Sequence, residues 1–531
     1  MLRACGVDLM AEASNYVARP LPLRLPRLCV AVVGASAAEM VEKAEALVRD
    51  NPFLEFRLDY LKSPGLALPH LRRFLAGHQP VIAIATCRRW ANGGKFRGSV
   101  ASQIDVLLKA AGSGFPLLDL ELQSATAMKR AEFQRLQAKA SLILSFHDFR
   151  ASRKLDETFR KMLEFQADFY KVVTTATTLY DNVVMMKFLE EQSARHSVIG
   201  LCMGEQGVIS RVLGVRAGSV FTFAAATAGE ETAPGQIAAA TLRNVYRIEQ
   251  VDAATRVHGV AGDPVSHSLS PQMMNAAFRR ENVNAVYLAL HAKSLPDLLH
   301  CVRDIPIRGL SVTMPYKQEI VEYLDNTDAL TQKTGACNTV VRAQDGKLYG
   351  FNTDVAGVVR PLEQRLPLEG AKILVLGAGG AARSAVFGLK ERGAEVYILN
   401  RTPAPAQKLA RQAHARVMKR PDLKKLSFDV IINATPVGLG RTQESPLNEK
   451  EIKARYVMDM VYQGETGFAK LARAQGAEVI PGAEMFVQQG ARQFEIWTGK
   501  PAPVVDMQHE VQAAIEARNR NSNKNSNHNK R

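Results

Sequence analysis

Residues 169–176 read FYKVVTTA, an apolar and β-branched run of strand length with a single lysine, Lys171, inside it. Such a run predicts a short strand buried on both faces. Runs of the same kind lie upstream at Leu28–Gly34, Phe53–Tyr60, Val81–Arg88, Phe115–Leu122 and Leu142–Phe149, and downstream at Val198–Met203 and Val220–Ala226. Segments with helical periodicity separate them, for example Ala37–Arg49, Ser99–Ala111 and Thr178–Arg195. Eight strands alternating with helices predict an α/β fold, a (β/α)8 TIM barrel. Such barrels carry their chemistry at the C-terminal ends of the strands.

The polar residues of this half gather where that reading puts a site. Glu55 and Arg57 alternate on strand two and share one face. Arg88 ends strand three, His147 and Asp148 end strand five, Arg211 follows strand seven, and Thr232 and Gln236 follow strand eight. A charged lysine inside an apolar strand is costly, so Lys171 is either half of an ion pair with Glu55 or an amine that forms a Schiff base with a ketone. An iminium needs a proton shuttle, a task suited to His147. Arg57, Arg88 and Arg211 converging on one mouth predict a carboxylate anchor.

The motifs EFRLDY, TCRR followed by GG, SFHDF, the Lys171 strand, GVISR and TAPGQI resemble type I 3-dehydroquinate dehydratase, in that family's order across residues 28–245. The resemblance implies Lys171 as Schiff-base lysine and His147 as acid/base, with Glu55, Arg57, Arg88, Arg211, Thr232 and Gln236 binding substrate. The implied reaction dehydrates 3-dehydroquinate to 3-dehydroshikimate through an iminium. One position departs from the family. Asn92, in RRWANGGKFRG, stands where a glutamate is usual. Asparagine cannot carry charge, which predicts a slower dehydratase, with Asp148 and Glu55 as the charged neighbours left to His147.

The second half opens near Arg256 with further strand-like runs. GDPVSHSLSP places Ser268 and Ser270 two apart before a helix, where they suit a carboxylate or polyol, or simply cap the helix. SVTMPYK carries Thr313 and Lys317, GACNTV carries Asn338, and GFNTD carries Asp354. A Lys317–Asp354 pair can move a proton to or from a hydroxyl during hydride transfer. KILVLGAGGAAR (Lys372–Arg383) runs a buried strand into glycines and a helix, the pattern that lets backbone approach a pyrophosphate. The next strand ends in Asn400, Arg401 and Thr402, where NAD enzymes place an acid. An arginine there suits a 2′-phosphate, so NADP(H) is expected over NAD.

These clusters, with NATPVG and GAEMFVQQ, resemble shikimate dehydrogenase across Arg256–Glu516. The resemblance implies Lys317 and Asp354 as catalytic residues. It implies shikimate binding by Ser268, Ser270, Thr313, Asn338, Tyr462 and Gln489. The cofactor positions fall on Gly377, Ala378, Gly379, Gly380, Ala381, Asn400, Arg401, Thr402, Asn433 and Thr435. Ser311 stands where bacterial single-domain members carry Asn and fused plant-type members carry Ser. The whole chain then reads as a shikimate-pathway fusion that makes 3-dehydroshikimate and reduces it to shikimate with NADPH. Two alternatives are a catabolic NAD-dependent quinate/shikimate dehydrogenase, against which Arg401 argues, and a non-catalytic regulatory homologue, which has no chemical reason to keep Lys171, His147, Lys317 and Asp354.

The expected organisation is a flexible leader over 1–26, the barrel over 27–250, a substrate-binding domain over 255–360 completed by 488–517, a Rossmann-type NADP domain over 361–487, and a disordered basic tail over 518–531. At 531 residues, with 47% hydrophobic and 23% charged residues, the chain is globular, neither collagen nor rod. No apolar run is long enough to span a bilayer. Asp8 and Glu12 argue against a secretory signal. Six scattered cysteines without a CxxC suggest free thiols and no metal. The net charge of +16, without a nucleic-acid motif, points to small anionic substrates. A cytoplasmic monomer with no nucleic-acid or membrane partner is expected.

Overall fold

The computed structural model describes residues 21, 25–440, 443–462 and 464–528, apart from the side chains of 521–528. The chain forms two compact units that divide between Ala253 and Ala254.

The first unit is a parallel barrel of eight strands: β1 (Leu28–Val32), β2 (Phe53–Arg57), β3 (Ile82–Thr86), β4 (Leu117–Glu121), β5 (Ser141–His147), β6 (Phe169–Thr175), β7 (Val198–Met203) and β8 (Thr222–Ala225). Consecutive strands from β1 to β7 pair in parallel, and β8 pairs with β1. Val220 N–H donates to the Val198 carbonyl at 2.9 Å and draws the last gap together. Alternation decides what fills the interior. Phe169 and Val173 belong to the inner cluster with Phe53, Ile84, Leu117, Ile143 and Leu201, so Lys171, between them on the same face, points inward too. Leu21 and Leu25, at the end of the expected leader, pack against this cluster. Residues 1–20 and 22–24 of that leader, Cys5 among them, lie outside the described residues.

The second unit holds two sheets. One has β9 (Arg256–Gly262), β10 (Ala285–His291), β11 (Ile307–Val312), β12 (Asn326–Thr327), β13 (Thr339–Arg342) and β14 (Leu348–Phe351), in the order β10-β9-β11-β13-β14-β12. β13 runs antiparallel to both β11 and β14. The other is fully parallel: β15 (Lys372–Leu376), β16 (Glu395–Leu399), β17 (Arg416–Val417), β18 (Phe428–Asn433), β19 (Ala454–Asp459) and β20 (Glu478–Pro481). Its order β17-β16-β15-β18-β19-β20 is the doubly wound nucleotide-binding arrangement, with the switch point between β15 and β18. Along β15, Ile373 and Val375 enter one core, and Leu374 and Leu376 enter the core on the opposite face.

Two helices belong to both halves of this unit. Asp354–Glu363 runs past the expected boundary at 360. Gly482–Thr498 starts with Met485 in the nucleotide-sheet core and continues with Val487, Ala491 and Phe494 in the other. The segment read as a disordered tail differs from expectation, because helix Val504–His528 continues through it to His528. Met507 and Val511 pack this helix at its start, and extending a nucleated helix costs little per residue even in a poor sequence. Residues 529–531 lie outside the described residues. The five described cysteines are free and buried. Among the described residues no helix is long and apolar enough to cross a membrane.

Candidate active sites

In the barrel, all eight residues singled out from the sequence line one cavity: Glu55, Arg57, Arg88, His147, Lys171, Arg211, Thr232 and Gln236. Lys171 is 4% exposed. Its Nζ lies 3.1 Å from Asp119 Oδ2 and 3.8 Å from Glu55 Oε1. The ion pair expected with Glu55 is therefore the longer of two, and the closer partner, Asp119, was missed. A signal for it existed: in LLDLE two acids, Asp119 and Glu121, stand at inward parity among leucines. Asp119 Oδ1 also accepts from Arg88 Nη2 at 2.9 Å and Ser145 Oγ at 2.7 Å. Burial opposes its charge, but Lys171 and Arg88 outweigh burial and hold its carboxyl below the usual range.

His147 sits differently from expectation. Asp148 faces away, accepting from the backbone N–H of Arg150 and Ala151, and Glu55 is bound by Thr86. The group against the His147 ring is the Arg88 guanidinium. A guanidinium only donates, and Arg88 Nη1 lies within reach of both ring nitrogens, so whichever of them accepts from it carries no proton. Burial, then Arg88, Lys171 and Arg57, push the His147 pKa well below its usual value. His147 is thus a neutral imidazole, fit to take a proton. Phe149 stacks over it at 6.1 Å and closes down on Gly93, where an added Cβ would fall 2.2 Å from the Phe149 ring. An added Cβ would push the half-exposed Phe149 ring aside, and a φ of +80° at Gly93 favours glycine. Asn92, beside it, has its Nδ2 buried without a partner, and no hydrogen bond joins Asn92 and His147 among the described residues.

The three arginines divide by partner. Arg57 is held bidentate by Asp59 at 2.8 and 2.9 Å, and Arg88 by Asp119. Arg211 is 1% exposed, donates to the Pro234 carbonyl at 3.1 Å and has its Nε buried without a partner. Burial pushes its pKa down to about 10. It is a buried cation on the cavity wall. Thr232 and Gln236 bond to each other, and Glu230 ties their loop to Lys43 at 2.8 Å.

In the second unit, Lys317 Nζ lies 2.6 Å from Asp354 Oδ2. Asn338 Nδ2 donates to Asp354 Oδ1 at 2.8 Å and points its other hydrogen at Gln489 Oε1, 3.5 Å away. Ser268, not Ser270, receives the backbone N–H at the start of helix Ser270–Arg280, at 3.2 Å. Thr313 follows β11, its N–H bound to Ala261. Tyr462 stacks on Phe486 at 5.0 Å, and burial raises its phenol. Among the described residues no hydrogen bond joins Ser268, Ser270, Thr313 or Tyr462 to the Lys317–Asn338–Asp354–Gln489 cluster.

The glycine turn has the form a nucleotide needs. Gly377 has φ +110°, and a Cβ there would meet the Ala434 carbonyl at 3.0 Å. At Gly379 and Gly380 a Cβ would meet nothing within 4 Å, which leaves open space at the start of helix Gly380–Glu391. Asn400 Nδ2 turns back to the Thr402 carbonyl, and Arg401 is exposed. Asn433 is fully buried. Its Nδ2 donates to Asp459 Oδ1 at 2.9 Å and to the Val437 carbonyl, and its Oδ1 accepts from Thr435 N–H and Oγ1. Asn433 and Thr435 therefore shape the loop facing the glycines, with Asp459 as an anchor missed from the sequence.

Family models match three parts of this arrangement: type I 3-dehydroquinase at 28–253, the shikimate dehydrogenase substrate-binding domain at 260–340, and shikimate/quinate 5-dehydrogenase at 361–460, with the shikimate 5′-dehydrogenase C-terminal domain at 482–512. The chloroplastic bifunctional 3-dehydroquinate dehydratase/shikimate dehydrogenase of Arabidopsis thaliana is 33% identical over 501 residues, covering 90% of this chain and 82% of the relative. The chain belongs to that bifunctional family. Its barrel is the 3-dehydroquinate dehydratase unit, a lyase, and its second unit is the shikimate dehydrogenase, an oxidoreductase, both of the shikimate pathway. The NADP(+) shikimate dehydrogenase of Aquifex aeolicus is 38% identical over 257 residues, 48% of this chain and 95% of that protein. Among solved structures, shikimate 5-dehydrogenase from Thermus thermophilus, in complex with NADP(H) and shikimate, is 35% identical with a TM-score of 0.46, covering 49% of this chain and 99% of that one. The S. pombe dehydroquinate dehydratase and shikimate dehydrogenase is 22% identical with a TM-score of 0.44, covering 92% and 98%.

Proposed function

We propose that Lys171 and His147 carry the dehydration and that Lys317 and Asp354 carry the reduction. The observation that bears most weight is the chain Lys171–Asp119–Arg88–His147, of which Lys171, Arg88 and His147 line one cavity with Arg211. In this reading Arg211 takes the substrate carboxylate. Lys171 Nζ attacks the C3 carbonyl carbon, water leaves, and an iminium forms. The iminium acidifies C2, and His147, a neutral imidazole whose basic nitrogen passes from Arg88 to the substrate, takes the C2 proton. The electron pair left at C2 then expels the C1 hydroxyl, which accepts the proton back from His147 and leaves as water. A second water hydrolyses the iminium, frees Lys171 and releases 3-dehydroshikimate.

In the second unit the open space over Gly379 and Gly380, the fixed turn at Gly377 and the exposed Arg401 fit a dinucleotide carrying a 2′-phosphate, and so NADP(H). That cofactor supplies the hydride. Lys317 donates the proton to the oxygen that becomes the new hydroxyl, and Asp354, held by Asn338, keeps the ammonium in place. Ser268, Ser270, Thr313, Tyr462 and Gln489 form the substrate wall, and Asn400 and Thr402 flank Arg401 on the cofactor side. The reading takes the protein as a cytoplasmic monomer acting on small anions; an obligate dimer in sedimentation would overturn its monomeric part.

The deciding experiment incubates the chain with 3-dehydroquinate and NADPH and follows NADPH absorbance, then repeats this with 3-dehydroshikimate. Oxidation with both substrates, lost for the first alone in Lys171→Ala, supports the assignment. A Lys171→Ala chain that still turns over 3-dehydroquinate would sink it. Borohydride trapping of substrate mass on Lys171 gives an independent readout.

A further inference from the structure

We infer that Gln493 is a positioning residue of the dehydrogenase, which holds Asn338 and through it the Asp354 carboxylate, and that Ser311 and Tyr287 fix the direction in which the Gln493 amide points. The inference rests on the reading of Lys317 and Asp354 as the catalytic pair.

Gln493 lies on helix Gly482–Thr498 and is 2% exposed. Its Nε2 donates to the Asn338 carbonyl at 3.1 Å and to Thr339 Oγ1 at 3.0 Å. A carbonyl only accepts, so the amide must present nitrogen on this side and oxygen on the other. That oxygen receives Ser311 Oγ–H at 2.8 Å. The single hydrogen of Ser311 is then committed, so the Tyr287 phenol, 2.5 Å away, must donate to Ser311. The hydrogens run one way, from Tyr287 through Ser311 and Gln493 to Asn338.

The far end of the chain meets the catalytic pair. Thr339 Oγ1 donates to Asn338 Oδ1 at 2.8 Å, and Thr353 N–H donates to the same oxygen at 2.8 Å. Asn338 Oδ1 is therefore locked away from Asp354, and Nδ2 faces Asp354 Oδ1. This leaves Asp354 Oδ2 for Lys317. Both ends of Asn338 are thus set by groups behind it, with Gln493 bracing its carbonyl and its neighbour Thr339. The arrangement also accounts for Ser311, the position that departs from the single-domain pattern. A hydroxyl can both accept from Tyr287 and donate to Gln493, so serine passes the direction on.

The test compares Gln493→Leu, Gln493→Glu and Ser311→Ala in the full chain with 3-dehydroshikimate and NADPH. Gln493→Glu is nearly isosteric but, ionised, has only acceptors to offer the Asn338 carbonyl. Both Gln493 variants should lose kcat by tenfold or more, in line with the roughly hundredfold cost of an ångström of misplacement. KM for NADPH, and NADPH affinity read by nicotinamide fluorescence, should stay within twofold. Ser311→Ala should lose kcat by a smaller factor with the same split, and serves if the Gln493 variants do not fold. Gln493 variants that bind NADPH normally and keep kcat within twofold overturn the inference, as does a Gln493→Glu variant as active as the parent. Asp354→Asn is run beside them. If it abolishes turnover while the Gln493 and Ser311 variants do not, only the positioning inference fails; if it keeps turnover, the catalytic pair is wrong and the inference falls with it.

Discussion

Arg211→Met separates the two things a buried arginine can do. In the native barrel its pKa is pushed down to about 10 because it is buried with no carboxylate beside it. That amounts to roughly 3 kcal/mol of burial cost carried by the ligand-free protein. Replacing the guanidinium with an apolar side chain of similar length removes that cost and forfeits one hydrogen bond to the Pro234 carbonyl, worth about 1 kcal/mol. The ligand-free barrel should therefore be no less stable, and up to ~2 kcal/mol more so, in urea unfolding followed by far-UV circular dichroism. Catalysis should move the other way. A charge-assisted hydrogen bond to a substrate carboxylate is worth about 1.5–3 kcal/mol, so kcat/KM on 3-dehydroquinate should fall roughly 10- to 150-fold. A variant destabilised by several kcal/mol whose kcat/KM stays within threefold would refute this, and would make Arg211 a structural residue.

Three further outcomes follow from the same geometry. Asn92→Glu should raise dehydratase turnover several-fold by placing a carboxylate on the loop beside the His147 cover; no rise in a stopped assay with 3-dehydroquinate would remove Asn92 as the cause of a slow barrel. Arg401→Ala should raise KM for NADPH about tenfold or more and leave that for NADH within threefold, since only the former loses a charged partner; equal effects on both would refute the 2′-phosphate assignment. Burial, with the charges of Arg256 and Arg308, lowers the His258 pKa to about 3, against a backbone hydrogen bond with Arg256 that raises it. It stays neutral in the fold while the unfolded chain takes up a proton below ~6.5, so stability is present above that pH and is lost as pH falls toward 3, at up to ~1.4 kcal/mol per unit. Urea unfolding at pH 6.5 and 4.5, read at Trp497, whose ring is 5.4 Å from His258, should show His258→Gln losing less stability than the parent chain over that interval; an equal loss would refute it.

Much of this could be read from the sequence because period-2 and period-3.6 patterns are local. Val198–Met203, Thr339–Arg342 and Glu395–Leu399 begin and end where their apolar runs do. β12, β14, β17 and β20 were not seen. They are two to four residues long and mostly half-exposed, so their pairing partners specify them more than their own composition does. The same division applies to the sites. Residues inside motifs, such as Lys171, His147, Lys317 and Asp354, were found. Asp119, Gln493 and Asp459 were not, since each matters through a partner far along the chain: Asp119 meets Lys171, Gln493 meets Ser311, and Asp459 meets Asn433. The roles given to Asp148 and the tail erred for a related reason. Sequence proximity placed Asp148 beside His147, but the backbone turn at Arg150 and Ala151 takes its carboxylate, and composition alone does not reveal that a packed helix leads into the Asn-rich end.

The loop after β18 offers a kinetic consequence. Because Asn433 is saturated by Asp459, Val437 and Thr435, and Asp459 in turn is held by Thr466 and Val461, this shelf is ordered during folding and not on arrival of a dinucleotide. Capture then carries no loop-ordering entropy, which at roughly 1–2 kcal/mol per fixed residue would otherwise weaken affinity severalfold for each position. Association can run at the rate of encounter, with no slow unimolecular step behind it. In stopped-flow mixing, the observed rate should rise linearly with nucleotide concentration without reaching a plateau, and the Ala434–Val437 amides should be as protected from hydrogen exchange before binding as after.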